Sequence, residues 1–274
     1  MNSIILYFKE RFPVQLVLLL SLSYSLMIMG VCSHLTGTAT SFVIIGLVAL
    51  SFAAFLLRLR VTDEFKDIDH DSKNYPNRPF QRGAISSRQL IGIGVISLII
   101  ELGSLYIINP KAVIFYIPVL VYSALTAKEF FISSWLNKHF TIYFITHQMI
   151  FVVFAMWGFI TFGVQLNLRA LLGGLAFVMT MSVFEIIRKL EYRHNTHGKI
   201  VKDSYPAVWG APFTTVLLIT MVSFIGIFLS VITGNIWHLI LALISVLFTY
   251  SGKFELIQAA FGISLAIQGL LLFI

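Results

Sequence analysis

The sequence predicts an all-α, polytopic membrane protein, and three observations carry that expectation. Hydrophobic residues make up 58% of the 274 residues and charged residues only 11%, with a mean hydropathy of +0.91. Soluble domains carry roughly a quarter charged residues. The apolar residues fall into nine runs, at 13–32, 40–59, 89–108, 111–125, 140–162, 168–187, 210–232, 237–250 and 254–274. Most approach the ~20 residues that a helix needs to cross a bilayer, and the fourth and eighth are the shortest. With the amino terminus placed in the cytoplasm, 17 of the 19 Lys and Arg residues fall in inner segments, all but Lys111 and Arg169. That is the bias expected of cytoplasmic loops. In lipid the backbone must satisfy its own hydrogen bonds, so the runs are expected as nine transmembrane helices under a cytoplasmic polar cap. Residues 1–274 read as one domain.

Residues 1–12 form an amphipathic lead-in with Ile4, Ile5, Tyr7, Phe8 and Phe12 as its apolar side, suited to lie on a membrane surface. Pro13 opens the first run, where its missing N–H costs little. The flanks Lys9, Glu10 and Arg11 imitate a signal peptide, but the length of the run and the eight that follow argue that it stays.

The second run leads into Asp63-Glu64-Phe65-Lys66-Asp67-Ile68-Asp69-His70-Asp71, which holds five of the chain's twelve carboxylates in nine residues. Carboxylates this close raise one another's pKa unless a cation neutralises them. The natural neutraliser is Mg²⁺, a hard ion commonly shared with substrate phosphate. The bland alternative is a solvated acidic loop. Residues 74–83 follow, with Pro76, Pro79 and Gly83 shaping a turn. They return Arg78 and Arg82 toward the acids, and arginine suits bidentate phosphate contact. Positive-inside anchoring alone would account for the arginines, but not for the acids beside them.

The third run carries Glu101 deep in apolar sequence, either a functional group or a hydrogen-bonded structural one. Lys128 and Glu129 follow the fourth run on the side of the acidic stretch. His147 and Gln148 sit in the fifth run, where packing hydrogen bonds are the commoner role. The sixth run ends in Glu185, Arg188 and Lys189, spaced so that the acid shares a helix face with both bases. A mainly basic polar segment, 194–204, comes next. The last three runs hold few ionisable groups and read as scaffold and pocket wall.

Cys32 is the only cysteine, which excludes an intramolecular disulfide and a cysteine-based zinc site. The net charge of +7 follows from the topology and is no argument for nucleic-acid binding. An acidic cluster beside Arg and Lys, at the edge of an interior rich in Phe (25 in all), suits a ligand with a diphosphate head and a hydrocarbon tail. Mg²⁺ and the bases would neutralise charge on a departing diphosphate, and aromatic faces would attract an allylic cation.

On these residues the chain resembles the UbiA-type intramembrane prenyltransferases. Asp63, Glu64, Asp67 and Asp71 stand at the four places of that family's first motif, Asn-Asp-x-x-Asp-x-x-x-Asp, and Arg78-Pro79 follows as its Arg-Pro. The resemblance covers essentially the whole chain. It implies that Asp63, Glu64, Asp67 and Asp71 coordinate Mg²⁺ and a prenyl diphosphate, with Asp67, Asp71, Lys128 and Glu185 as catalytic residues. Arg78, Arg82, Lys128, Arg188 and Lys189 are the expected diphosphate contacts. The implied activity is Mg²⁺-dependent transfer of an isoprenoid group to a lipid-soluble acceptor, in a multi-pass protein of a bacterial-type plasma membrane with its active site facing the cytoplasm.

The chain departs from the family at the second motif. Where a second Asp pair is usual, it reads Glu185-x-x-Arg188-Lys189-x-Glu191, with Asp203 further on. Either the bases replace one metal, with Glu185 orienting them, or Glu185 keeps a weaker metal site with Glu191 or Asp203. The acceptor is not named by the residues: Glu101, His147, Tyr205 and Glu255 are unranked candidates for its polar hook. Terpene cyclisation without an acceptor is the runner-up. A non-catalytic isoprenoid-binding protein and a transporter are the further alternatives, although transporters tend to place ionisable groups near the bilayer midplane.

Overall fold

Every apolar run becomes helix in the computed structural model, which describes residues 3–274, side chains 254, 255 and 258 excepted. The side chain of Glu255, one of the candidate hooks, therefore lies outside the described residues. The lead-in is α1 (Ser3–Arg11), followed by α2 (Val14–Thr36), α3 (Phe42–Lys66), α4 (Ile68–Asn74) and α5 (Ser87–Ile108). The fourth run divides into α6 (Pro110–Phe115) and α7 (Ile117–Ala127). Pro118 in the first turn of α7 has no N–H to continue the ladder, so a break there costs little. Next come α8 (Ser133–Leu136), α9 (Phe140–Thr161) and α10 (Leu168–Arg188). A two-stranded antiparallel hairpin, β1 (Arg193–His194) with β2 (Ile200–Val201), precedes α11 (Tyr205–Trp209), α12 (Ala211–Thr233), α13 (Trp237–Thr249) and α14 (Phe254–Leu271).

Among the described residues seven helical segments are long and apolar enough to cross a membrane, with α6 and α7 acting together as one. They make this an integral membrane protein. The last two runs form the shorter helices: the 13 residues of α13 rise only about 20 Å, so length alone marks seven crossings where the sequence suggests nine. Large side chains such as Phe42, Ile107 and Leu168 stay exposed on the outer surface, as lipid-facing positions do.

The ends have local causes. Ser86 and Gln89 form a reciprocal capping box that starts α5, and Gly37, at φ +67°, ends α2 in the left-handed region. Helices α2 and α14 approach closely at Gly269, where an added Cβ would come within 2.8 Å of the Leu26 Cβ. Small residues at such contacts are how membrane helices pack without a hydrophobic drive. The central core is aromatic: Tyr24, Phe52, Phe55, Phe154, Trp157 and Phe177 are buried, and Phe52 meets Phe154 edge-on at 4.9 Å.

Glu101 takes its structural reading. Its carboxylate accepts from Arg58 Nε at 2.7 Å, Arg58 Nη2 at 2.9 Å and Tyr116 Oη at 2.7 Å. Arg58 Nη1 donates to Ser123 Oγ at 3.0 Å. The network ties α3, α5 and α7 together and engages both oxygens of the acid.

Candidate functional site

The end of α3 decides the chemistry. The second run does not stop at Leu59; helix continues to Lys66, with Asp67 at its C-cap. Asp63 and Asp67 are therefore one turn apart, while Glu64 is rotated by about 100° from Asp63. That rotation divides the acidic motif. Glu64 is buried, and its Oε1 accepts from Arg11 Nε at 2.8 Å and Arg60 Nη2 at 2.9 Å. Asp71, also buried, pairs with Arg78 and His70, with Arg11 Nη2 at 3.7 Å. Asp63 faces a cavity and pairs with Lys66 at 3.1 Å. Among the described residues, no hydrogen bond or ion pair occupies the Asp67 carboxylate. The four acids expected to share one metal are thus split into an arginine-clamped pair, Glu64 and Asp71, and a second pair in which Asp63 meets Lys66 and Asp67 has no such partner among the described residues.

The cavity has a volume of about 480 Å³ and lies between α3 and α10, with walls from α2, α7 and α9. Deeper in, Leu20, Tyr24, Ile150, Phe151, Met181 and Phe184 line it. Near the helix ends its lining turns charged: Arg11, Arg60, Asp63, Lys66 and Arg78 on one side, Glu185, Arg188, Lys189 and Arg193 on the other. Tyr143 stands between them and accepts from Lys66 Nζ at 3.1 Å. Among the described residues two carboxylates, Asp63 and Glu185, line the cavity against seven cationic side chains.

Glu185 is fully engaged. Arg188 grips both its oxygens at 2.7–2.9 Å, Lys189 Nζ lies 3.0 Å from Oε1, and Tyr205 Oη donates to Oε1 at 3.3 Å. Glu191 is exposed, and Asp203 instead accepts from Tyr75 Oη at 2.6 Å. These acids are not gathered with Glu185.

Burial pushes the Asp67 carboxyl up to about 6, and the charges of Asp63 and Asp71 add to the rise while Lys66 and Lys189 oppose it. Burial also acts on Asp71, but His70, Arg78 and Arg11 hold it below the usual carboxylate range. The two acids differ because one has its cations in contact and the other does not.

Two expected contacts are not brought to the cavity. Lys128 is exposed: Ser123, Thr126 and Ala127 of α7 line the cavity, and Lys128 falls one residue, about 100°, past that face. Arg82 turns outward to Glu10 at 2.7 Å. Sequence reasoning missed Arg11, Arg60, Lys66 and Arg193 as cavity residues. Arg60 and Lys66 carried a usable signal, since each stands three or four residues from an acid of the motif on a continuous helix. Arg11 carried none, because it meets Glu64 across 53 positions.

Asp63 and Asp67 are the residues that would hold Mg²⁺. Among the described residues no three His, Cys, Asp or Glu side chains are gathered as a metal cage. Mg²⁺ commonly takes one or two carboxylates and completes its shell with water and substrate phosphate. Asp67, unpartnered among the described residues, and Asp63, one turn away, are the carboxylates that would supply that donor set.

Residues 42–259 match the UbiA prenyltransferase family. Among solved structures, an apo UbiA homologue from Aeropyrum pernix K1 is similar with a TM-score of 0.64 at 14% identity, covering 92% of this chain and 97% of that one. At that identity the likeness is one of fold. A structure of digeranylgeranylglyceryl phosphate synthase is similar at a TM-score of 0.46 and 17% identity, over 93% of this chain and 99% of that one. No curated protein matches.

Proposed function

From a chain that belongs to the UbiA prenyltransferase family, we propose a Mg²⁺-dependent intramembrane enzyme that moves a prenyl group from its diphosphate to a lipid-soluble acceptor. One observation supports the reading: one cavity joins an apolar, aromatic interior to a cationic rim that carries Asp63, with the unpartnered Asp67 one helical turn away. The tail of a prenyl diphosphate belongs in the interior and its head at the rim. The rim faces the cytoplasm, on the side where the basic residues concentrate.

Asp63 and Asp67 would hold the ion, which supplies charge neutralisation to the departing diphosphate. Arg188 and Lys189 meet the diphosphate oxygens from α10, and Lys66 from α3. As the bond between C1 and the bridging oxygen breaks, its electron pair leaves with the diphosphate, and positive charge develops on the allyl group. Tyr24, Phe151 and Phe184 present aromatic faces to that charge. The acceptor then bonds to C1 and gives up a proton, which the departing diphosphate takes up. Arg11 and Arg78, at the rim, pair with Glu64 and Asp71 and so offset the crowding of acids at the end of α3 and in α4.

The test is product analysis by mass spectrometry of purified protein with Mg²⁺ and prenyl diphosphates of several lengths, with and without aromatic and lipid acceptors. An acceptor-dependent prenylated product with released pyrophosphate is expected. A hydrocarbon or terpene alcohol formed without acceptor would make the chain a cyclase, and no turnover with any pairing would leave it a binding protein.

A further inference from the structure

The two sides of the cavity hold their charges differently, and the α10 side has no room for a metal. All the accepting capacity of Glu185 toward the cavity is taken by Arg188, Lys189 and Tyr205. Arg188 and Lys189 retain spare donors: among the described residues Arg188 Nη1 makes no hydrogen bond, and Lys189 commits one of its three ammonium protons. Both line the cavity, and Lys189 is close enough to Asp67 to act on its charge. A second divalent ion here would sit against two cations and lack a free carboxylate.

We infer that the α10 half of the site grips the diphosphate directly with Arg188 and Lys189 in place of a second metal ion, so that the chain uses one divalent ion. Glu185 is then a positioning residue. Its bidentate contact fixes the guanidinium plane, its contact with Lys189 sets the ammonium beside it, and Tyr205 holds the carboxylate from α11. Tyr205 is itself fixed by Phe144 and Trp209, with ring centres 5.4 and 4.9 Å away, and its backbone N–H donates to the Lys189 carbonyl at 3.3 Å. The clamp is preorganised before the ligand arrives. This inference rests on the prenyl diphosphate reading and adds the number of metal ions and the means of anion binding.

The test uses the purified full chain with inorganic pyrophosphate as ligand and Mn²⁺ as a countable substitute for Mg²⁺, read by electron paramagnetic resonance and equilibrium dialysis. One bound Mn²⁺ per chain is expected at saturating pyrophosphate. Arg188→Ala and Lys189→Ala should each weaken pyrophosphate about 10- to 100-fold, the loss of one charge-assisted hydrogen bond, with the count still one. Glu185→Gln should leave the count at one and weaken pyrophosphate a few-fold, which a metal ligand would not do. Two Mn²⁺ per chain, falling to one in Glu185→Gln, would overturn the inference and leave the prenyl diphosphate reading standing. Unchanged pyrophosphate affinity in both alanine variants would overturn it equally. A chain that binds neither pyrophosphate nor Mn²⁺ would overturn both readings together.

Discussion

The ends of α3 and α10 occupy equivalent places on opposite sides of one cavity, yet they carry opposite chemistry. At α3 the cations Arg11, Arg60, Lys66 and Arg78 gather on Glu64, Asp71 and Asp63, and among the described residues Asp67 is left without a partner. At α10 a single acid is shared among Arg188, Lys189 and Tyr205. A diphosphate between them can be neutralised in two ways at once, by an ion held on carboxylates and by fixed guanidinium and ammonium groups. Metal affinity on one side requires free acids. Preorganised bases on the other require an acid that is not free.

The sharpest way to break that contrast is to remove the open carboxylate. Asp67→Asn should lower turnover about 10²–10³-fold, the range for losing one electrostatic stabiliser of a transition state, while leaving thermal stability close to that of the parent chain. Steady-state kinetics with a melting curve checks both halves. Retained turnover would mean that the α3 side does not hold the ion.

Glu64→Gln separates the two halves of the acidic motif. Glu64 neutralises Arg11 and Arg60 in a buried setting, and taking its charge away leaves two cations underpaired. The expected effect is a loss of about 1–3 kcal/mol in stability, with the Mg²⁺ concentration for half-maximal turnover nearly unchanged in the protein that remains folded. A shift in Mg²⁺ requirement as large as that of Asp67→Asn would place Glu64 among the ion's ligands after all.

Acidity probes the same side. Asp67 titrates near 6 in the folded chain against 3.8 for the free group. Between those values the folded chain binds a proton that the unfolded chain does not, so this group's contribution to stability rises as pH falls through 6. A metal ion needs the ionised form, so its binding moves the other way. Below pH 6 the Mg²⁺ requirement should climb by up to about tenfold per pH unit, as one proton must be displaced. Because the diphosphate also takes up protons, the comparison is with Asp67→Asn, whose remaining Mg²⁺ dependence should be less steep.

The sequence made much of the fold legible, and the reasons are local. Long apolar runs leave few alternatives to helix in lipid, and α3, α9 and α10 begin or end within a turn or two of where the hydropathy changes. The end of α3 was hidden because charged residues read as an exit from the membrane, whereas helix propensity carries the backbone on to Lys66. That difference of two turns is what sorts Asp63 and Asp67 from Glu64. Lys128 shows the opposite case: it follows the fourth run where a diphosphate contact is expected, but as the exposed C-cap of α7 it does not line the cavity. Arg11 could not be found at all, since its role depends on how α1 folds back against α3.

The smallest effect is the most discriminating about the α10 clamp. Tyr205 donates to Glu185 at 3.3 Å, a long bond worth about 0.5–1 kcal/mol, while its ring stays packed against Phe140, Phe144 and Trp209. Tyr205→Phe removes the hydroxyl and keeps the ring, so packing should survive. Arg188 and Lys189 keep their contacts with Glu185, and what is lost is the tether that holds the carboxylate still. Pyrophosphate affinity should therefore fall only about two- to fivefold, and the metal count and Mg²⁺ requirement should not move. A change confined to anion binding assigns the two jobs to the two helix ends. A change in Mg²⁺ requirement would show that α10 also reaches the ion, and the contrast between the ends would be lost.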